Sequence, residues 1–472
     1  MSAAYYLQGK HSSDGAFKYQ CTVVEKEQRP GGNVYTAYFD SAYKGRFADL
    51  GVNDFNRDRY PLMVDLLDQV EGDGYPVPTA KLTDEACFFT ARGDEQAPVC
   101  YTSREMREAT AGLMKRLQEE RNRFDGLVRE VLMNPGQYEK VTVGQFLKDK
   151  AFDQDFRRLH VLPRINAMYY MNDGDPDAMP IRAVMMYYHF QEGAGGPADR
   201  RYFVNGASDW ILALMRALEK RGVKFFPGTT AKAVGRDGSG IRVESTGKGV
   251  TGYWDHVVSA VPANRVQDVV SPNVVPGIAE VTQEFKYIDS VAYAHTYDGV
   301  MPADRSRWQT YNVLIPGKDE KRLYTMSYVE NMHQGAHEPP ENPWFVSENP
   351  QVKIPYDEIL TMVDLRSITA PKIKAVITFP HNTLTDESLA AQRTLCGLQG
   401  KNGVYFTGGW TNGAGLHEEV LAVSLDISAM ILGHASHPVH GPCGPTPDHV
   451  PKYIRDSFAD GPVQLYPDGF WE

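Results

Sequence analysis

An α/β architecture, parallel strands beside helices joined to a second α+β domain, is what the sequence predicts, and three observations carry it. Val404-Tyr405-Phe406-Thr407-Gly408-Gly409-Trp410 is an apolar strand stopped by paired glycines. It passes through Gly413 and Gly415 into a helix opened by Leu416-His417-Glu418-Glu419. Near the start of the chain, the β-rich run Cys21-Thr22-Val23-Val24 ends on a carboxylate, Glu25. Between these ends, short apolar runs separated by turn residues predict a β-meander beside a parallel sheet.

Taken in order, Ser2 to Leu7 predicts a helix, and Ala3 and Ala4 give it a small face that packs closely on a sheet. Residues 8–19 are polar and carry Gly and Ser, which predicts a surface loop. The strand 21–25 follows, with Arg29, Pro30, Gly31 and Gly32 just beyond it. Residues 105–132 have helical periodicity and many charges, and 143–156 predict a further helix capped by Thr142. Two Met- and aromatic-rich runs come next, Met168-Tyr169-Tyr170-Met171 and Met185-Met186-Tyr187-Tyr188-His189-Phe190. They read as core, or as the wall of an apolar substrate pocket. A helix over 210–221 leads to strands at 223–226, 231–234, 240–243 and 255–260. The tail from Ser436 is rich in Pro, Gly, His and Asp, and predicts an irregular extension that wraps the surface or stays disordered.

A chain of 472 residues with 42% hydrophobic content predicts two or three lobes, each with a real core. The net charge of −11 and the lack of a Lys/Arg-rich run argue against nucleic acid as a partner. No apolar run is long enough to span a bilayer, which leaves peripheral membrane contact open. Cys21, Cys87, Cys100, Cys396 and Cys443 are scattered without CxxC spacing. They predict neither a disulfide framework nor a metal site, and favour a reducing, cytoplasmic setting. The oligomeric state is not legible.

Holding a dinucleotide requires a strand that enters a glycine turn, so that backbone N–H groups face the pyrophosphate. An acidic side chain at the end of a second strand then receives the ribose hydroxyls. Glu25 fits the second requirement. A first strand and a GxGxxG turn would precede Met1, and translation assigned to an internal Met is the expected explanation. With Val404 to Glu419 as a second glycine junction, the chain resembles the flavin-containing amine oxidase and phytoene desaturase superfamily. Within it, the chain is similar to predicted NAD/FAD-binding proteins related to those found with cyclopropane-fatty-acid synthases. Ser2 to Leu7 matches Ser-Ala-Ala-Tyr-x-Leu; Glu25 with Gly31 and Gly32 matches Glu-x-x-x-x-x-Gly-Gly. Asp49-Leu50-Gly51 with Phe55-Asn56 matches Asp-Leu-Gly-x-x-x-Phe-Asn, and Asn205-Gly206-Ala207-Ser208 a helix-opening motif. Segments 295–302 and 308–312 are also similar to this branch. Gly409-Trp410, Gly415, His417 and Glu418 match its C-terminal motif, with Leu416 and Glu419 as conservative departures.

The resemblance implies a Rossmann-like FAD-binding domain, its first strand and GxGxxG turn missing, built from 1–56, 195–270 and 375–433. The substrate domain, of mixed sheet and helices, comes from 57–194 and 271–374, and 434–472 form the extension. Glu25, Arg29, Gly31, Gly32, Gly51, Asn56, Ala231, Gly408, Gly409, Trp410, Gly415 and Glu419 are the implied FAD contacts. His417 and Glu418 are the candidates for proton handling; otherwise His417 is a cap or core residue and Glu418 a carboxylate stabilising its own helix. The implied activity is desaturation or double-bond isomerisation of an acyl or isoprenoid chain. Oxidation of a small amine is the alternative, and a cofactor-free interaction protein a third reading.

Overall fold

The β-branched run at 22–24 forms β1 (Thr22–Val24), which pairs in parallel with β9 (Lys224–Phe226), Val23 opposite Phe225. A second parallel pair joins β13 (Val257–Ser259) to β21 (Val404–Phe406). Among the described residues no ladder joins the two pairs. This computed structural model describes residues 1–472 except 40–45, 84, 91–98, 170–174, 195–197, 248, 316–324, 335–341, 445, 447, 460–462, 468 and 472. The run Met168-Tyr169-Tyr170-Met171 lies outside the residues whose side chains are described.

Helix α1 (Ser2–Leu7) packs its small face on α7 (His417–Leu432), the helix that follows the glycine turn. The meander is an antiparallel sheet of β10 (Ala231–Asp237), β11 (Gly240–Ser245) and β12 (Gly252–Trp254). A bulge between Ala233 and Gly235 lets β10 bend. Ile241, Val266, Ile278, Val404, Phe406 and Trp410 form a core between the meander and the glycine turn.

Two smaller sheets follow the Glu25 region. A hairpin pairs β2 (Thr36–Tyr38) with β3 (Phe47–Asp49), and an antiparallel sheet has the order β4 (Asp54–Asn56), β8 (Arg200–Phe203), β5 (Thr79–Lys81). The large mixed sheet has seven strands. From one edge they run β20 (Val376–Asn382), β14 (Tyr287–His295), β17 (Phe345–Glu348), β16 (Thr325–Val329), β15 (Tyr311–Ile315), β6 (Ala86–Thr90) and β7 (Cys100–Thr102). All neighbours are antiparallel except β15 and β6. A short hairpin, β18 (Thr361–Val363) and β19 (Lys372–Lys374), packs beside β2, with Met362 bridged to Phe39. The fold is the mixed α/β arrangement the sequence predicts.

The charged stretch at 105–132 becomes three helices, Ser103–Glu108, Gly112–Gly126 and Val128–Met133. Thr142 caps Val143–Asp149 as expected, accepting from the Gln145 amide at 3.2 Å. Helix α2 (Pro61–Gly72) opens on a proline, and α3 (Ile181–Phe190) is buried on nearly every side. The Tyr188 ring meets Phe124 edge-on at 5.2 Å, so this part of the Met- and Tyr-rich run packs as core. Helices α4 (Ser208–Lys220), α5 (Glu330–His333) and α6 (Asp386–Cys396) complete the surroundings of the site. No helix among the described residues is long and apolar enough to cross a membrane.

Two expectations are corrected. Cys396 and Cys443 form a disulfide across 47 residues, because the tail folds back over α6 and brings together cysteines that show no short-range spacing. The tail is also more ordered than its composition suggests. It carries α8 (Lys452–Ser457), and Tyr453, Ile454 and Phe470 are buried. Asp426 on α7 anchors it by accepting from the amides of Val439, His440 and Gly441.

Candidate functional site at the glycine turn and the buried charge cluster

Gly408 has φ 114°, and a Cβ on it would lie 3.4 Å from the Ala260 carbonyl oxygen. At Gly415 (φ 83°) a Cβ would come within 2.4 Å of the Gly409 oxygen, so only glycine lets the backbone cross itself here. Trp410 anchors the turn, donating to the Val261 carbonyl at 2.9 Å and meeting Phe285 edge-on at 5.1 Å. Gln392 from α6 clasps its far side. It donates to the Trp410 and Gly413 carbonyls and accepts from the Gly413 amide at 3.0 Å.

The turn delivers three consecutive side chains. The partly buried His417 places its ring edge-on to Trp210 at 5.4 Å, and burial lowers its pKa to about 4 against a small opposing effect of Asp54. Its Nε2 atom and the Trp210 Nε1 are buried with no hydrogen-bond partner. Glu418 points to α2 and accepts from the Leu62 and Met63 amides at 2.9 and 3.0 Å, capping a helix whose own N-cap, Tyr60, supplies no side-chain bond. Burial pushes its carboxyl up to about 8 in spite of those two bonds. Glu419 folds back to the Leu416 amide at 2.9 Å and accepts from the Tyr453 hydroxyl at 3.2 Å. Burial raises it to about 7.

Glu25, at the end of β1, is partly buried; its carboxylate accepts from the Glu27 amide at 3.1 Å and is raised by burial. The buried amino group of Met1 senses the charges of Cys21 and Glu25. The Ser2 hydroxyl donates to Ser424 at 2.9 Å, and Ser424 lies 3.1 Å from the Thr407 hydroxyl. The start of α1 is thereby tied to α7 and to Thr407 at the entry to the glycine turn, within electrostatic reach of Glu25.

Arg29 is nearly buried. Its guanidinium donates to the Val34 and Pro30 carbonyls and to the Ser208 hydroxyl, and lies 4.7 Å over the Tyr35 ring. Gly31 (φ 126°) and Gly32 (φ 56°) turn the chain beside it. Gly51 passes so close to Asn33 that a Cβ would lie 1.8 Å from its carbonyl oxygen. Asn56 is fully buried, accepting from the Asp58 and Asp199 amides at 3.2 Å, with Nδ2 unpartnered. Ala231 opens β10 opposite Ser245, partly buried, on the meander. His189 and His295 make structural bonds, to Ser457 and Ser347 at 2.8 Å each.

Between Gly51 and Asn56 lies a cluster that sequence reasoning missed. Asp54 receives the Arg200 guanidinium at 2.9 and 3.0 Å and the Tyr311 hydroxyl at 3.1 Å, and Gln191 also donates to it. His333 has Nε2 3.6 Å from Asp54 and Nδ1 3.8 Å from Glu330, too far for hydrogen bonds. His333 and Glu330 have no solvent exposure, and neither the His nitrogens nor the Glu oxygens have hydrogen-bond partners. Burial alone would lower His333, but the two carboxylates outweigh it and raise the pKa to about 9. Burial would raise Asp54, yet Arg200 and His333 hold it well below the usual carboxylate range. Glu330 is raised by burial, as is Glu348 nearby, to about 8. The Tyr328 and Tyr311 rings wall His333 at 5.0 and 5.6 Å. Next to it Gln334 donates to Asp49 at 2.6 Å, which in turn accepts from the Ala207 amide at the start of α4. Such a set can hold or release a proton away from solvent. Its one local signal was Glu330 and His333 three residues apart, one helical turn.

The whole fold is similar to that of solved flavoenzymes. Putrescine oxidase bound to putrescine aligns with 92% of this chain and 96% of its own, at 13% identity and a TM-score of 0.59. Cyclohexylamine oxidase from Brevibacterium oxydans covers the same shares at 14% identity and 0.58. A CLA-producing fatty acid isomerase from P. acnes covers 91% and 95% at 16% identity and 0.57. No curated protein matches the chain in sequence. The family pattern of flavin-containing amine oxidoreductases, however, matches residues 1–328, more than half of the chain: this chain belongs to that family and is an oxidoreductase.

Proposed function

We propose that the chain is an FAD-dependent oxidoreductase that works between the glycine turn and the Asp54–His333–Glu330 cluster. The observation that carries this reading is that the start of α1 is hydrogen-bonded to Ser424, beside Thr407 at the entry to the glycine turn, while its amino group lies within electrostatic reach of Glu25. The residues present fit a flavin in one respect: buried Nε2 of His417, Nε1 of Trp210 and Nδ2 of Asn56 lack polar partners. In this reading Glu25 receives the adenosine ribose, Ala231 lies by the adenine, and Arg29, Gly31, Gly32 and Gly51 line the nucleotide. Gly409, Trp410, Gly415 and Glu419 frame the ring end, while Asn56 and His417 face it. The FAD lobe corresponds to 1–56, 195–270 and 375–433, and the substrate lobe to 57–194 and 271–374.

Bound flavin supplies a hydride acceptor. The chain's own part is to exclude water and to manage the proton. Arg200 and Tyr311 fix Asp54, Asp54 and Glu330 favour the imidazolium of His333, and the Tyr rings keep water from it. His333, rather than Glu418, is the group placed to hold and donate a proton, because the Glu418 oxygens are committed to the α2 amides. An acyl or isoprenoid chain undergoing desaturation or double-bond isomerisation is the substrate we favour. The likeness to a fatty acid isomerase supports it. A small amine is the second reading, favoured by the excess of carboxylates around His333 and by the likeness to two amine oxidases.

Purified chain mixed with FAD and then desalted tests the reading. Retained flavin absorption, with either anaerobic bleaching by an unsaturated fatty acid (desaturation) or a moved double bond in the recovered fatty acid (isomerisation), supports it; bleaching with an alkylamine alone moves the substrate to the second reading. A folded, colourless protein that releases FAD completely would sink it and favour a cofactor-free interaction protein. A cytoplasmic setting belongs to the same reading. Cell fractionation tests it: recovery of the chain outside the cytoplasmic fraction would count against it.

A further inference from the structure

Three cysteines remain outside the disulfide: Cys21 partly buried, Cys87 buried and Cys100 exposed. Cys87 and Cys100 stand on the antiparallel pair β6 and β7, where Cys87 lies opposite Thr102 and Cys100 opposite Phe89. They are thus diagonal neighbours on one face, and their sulfur atoms lie 3.8 Å apart. Among the described residues β7 is the outer strand of the seven-stranded sheet, with a neighbour on one side only. An edge strand can shift toward its partner without disturbing a second ladder. Behind the pair, Cys87 packs with Phe89 and Leu314 in a small apolar cluster of its own. On the solvent side, the Arg307 guanidinium donates to the Cys100 carbonyl at 3.4 Å.

We propose that Cys87 and Cys100 form an oxidation site at which a hydroperoxide converts two thiols into a cross-strand disulfide. Cys100, the accessible member, reacts first: its thiolate attacks the peroxide O–O bond, becomes a sulfenic acid, and releases hydroxide or, from an organic peroxide, an alkoxide. The Cys87 thiol then attacks the Cys100 sulfur, the S–S bond forms, and the sulfenic oxygen leaves as water with the Cys87 proton. Two thiols lose two electrons and the peroxide gains them, so nothing further is consumed. The asymmetry of the pair fits this order. A hydrogen bond from the Cys87 thiol lowers the Cys100 pKa with help from Arg307 and against partial burial, while Cys87 is raised. The site does not depend on the flavin reading.

The test treats the full chain with hydrogen peroxide, alkylates it, and maps its peptides without reduction by mass spectrometry. The expected result is a Cys87–Cys100 linked peptide lighter by two hydrogen atoms, with titratable thiols falling from three to Cys21 alone. Full alkylation of Cys87 beside a Cys100 that has gone on to sulfinic acid would overturn the proposal. So would Cys100 joined to a second copy of the chain. In Cys87→Ser, Cys100 is expected to stop at the sulfenic acid and to be trapped by dimedone. The peptide map of the unaltered chain decides the matter even if that variant fails to fold.

Discussion

The glycine turn and the Asp54–His333–Glu330 cluster are neighbours built on opposite principles. In the turn the main polar groups are paired: Gln392 closes Trp410 and Gly413, Glu419 closes Leu416, and Glu418 closes the start of α2. In the cluster, His333 and Glu330 are fully buried and charged groups crowd together, yet neither side chain makes a hydrogen bond. A buried charge without full pairing costs free energy and persists only if the rest of the fold holds it. The difference teaches that the turn is a frame and the cluster is the place where chemistry can happen. It also explains why Glu418, attractive by position, acts as a strut.

The sharpest way to break this contrast is His333→Gln. If His333 handles the proton, turnover falls by roughly 10²–10⁴-fold while the protein stays folded; steady-state rates beside far-UV circular dichroism decide it. A rate within a few-fold of the parent would remove the cluster from the reaction. Arg200→Ala should act on stability instead. It leaves Asp54 buried beside an unmatched charge, so a loss of about 3–5 kcal/mol in urea unfolding is expected. A loss below about 1 kcal/mol would mean that Asp54 is better solvated than its 5% exposure implies.

Glu418→Ala sharpens the other side of the comparison. Two buried amides lose their acceptor, which should cost about 1–3 kcal/mol, with Glu418→Gln retaining part of it. If Glu418→Ala instead abolished turnover in a fully folded protein, the assignment of Glu418 as a strut would fail. The smallest effect is expected from pH. Because the folded pKa of His333 is raised from 6.5 to about 9, its contribution is complete below pH 6.5 and fades as pH rises to about 9. Glu418, raised from 4.5 to about 8, works in the same direction, since its ionisation opposes folding across that interval. The thermal midpoint should therefore decline from pH 6.5 to 9. His333→Gln should flatten that decline, and an unchanged slope would show that the imidazole does not carry a proton there.

Legibility in the sequence followed distance along the chain. The run from Val404 to the helix at His417 declares itself locally, because an apolar strand, paired glycines and acidic first-turn residues lie within sixteen positions. The helix at Ser2, the strand ending before Glu25, the meander and the Thr142 cap are legible for the same reason. The disulfide was not, because its cysteines meet only after the tail has folded back over α6. Nor was the order in that tail. Its composition suggests an irregular extension, yet Tyr453 and Phe470 find apolar seats against α3 and α1.

By itself, the sequence determined the α/β class, the family and the residues that must be glycine, since each depends on side-chain pattern or backbone sterics within a short window. The tertiary structure alone decided which charges meet. Asp54 lies 146 residues from Arg200 and 257 from Tyr311, and no periodicity links them. Electrostatic coupling acts through space, so the protonation of His333, the commitment of Glu418 and the proximity of Cys87 to Cys100 become visible only once the sheets have brought those groups within a few ångströms.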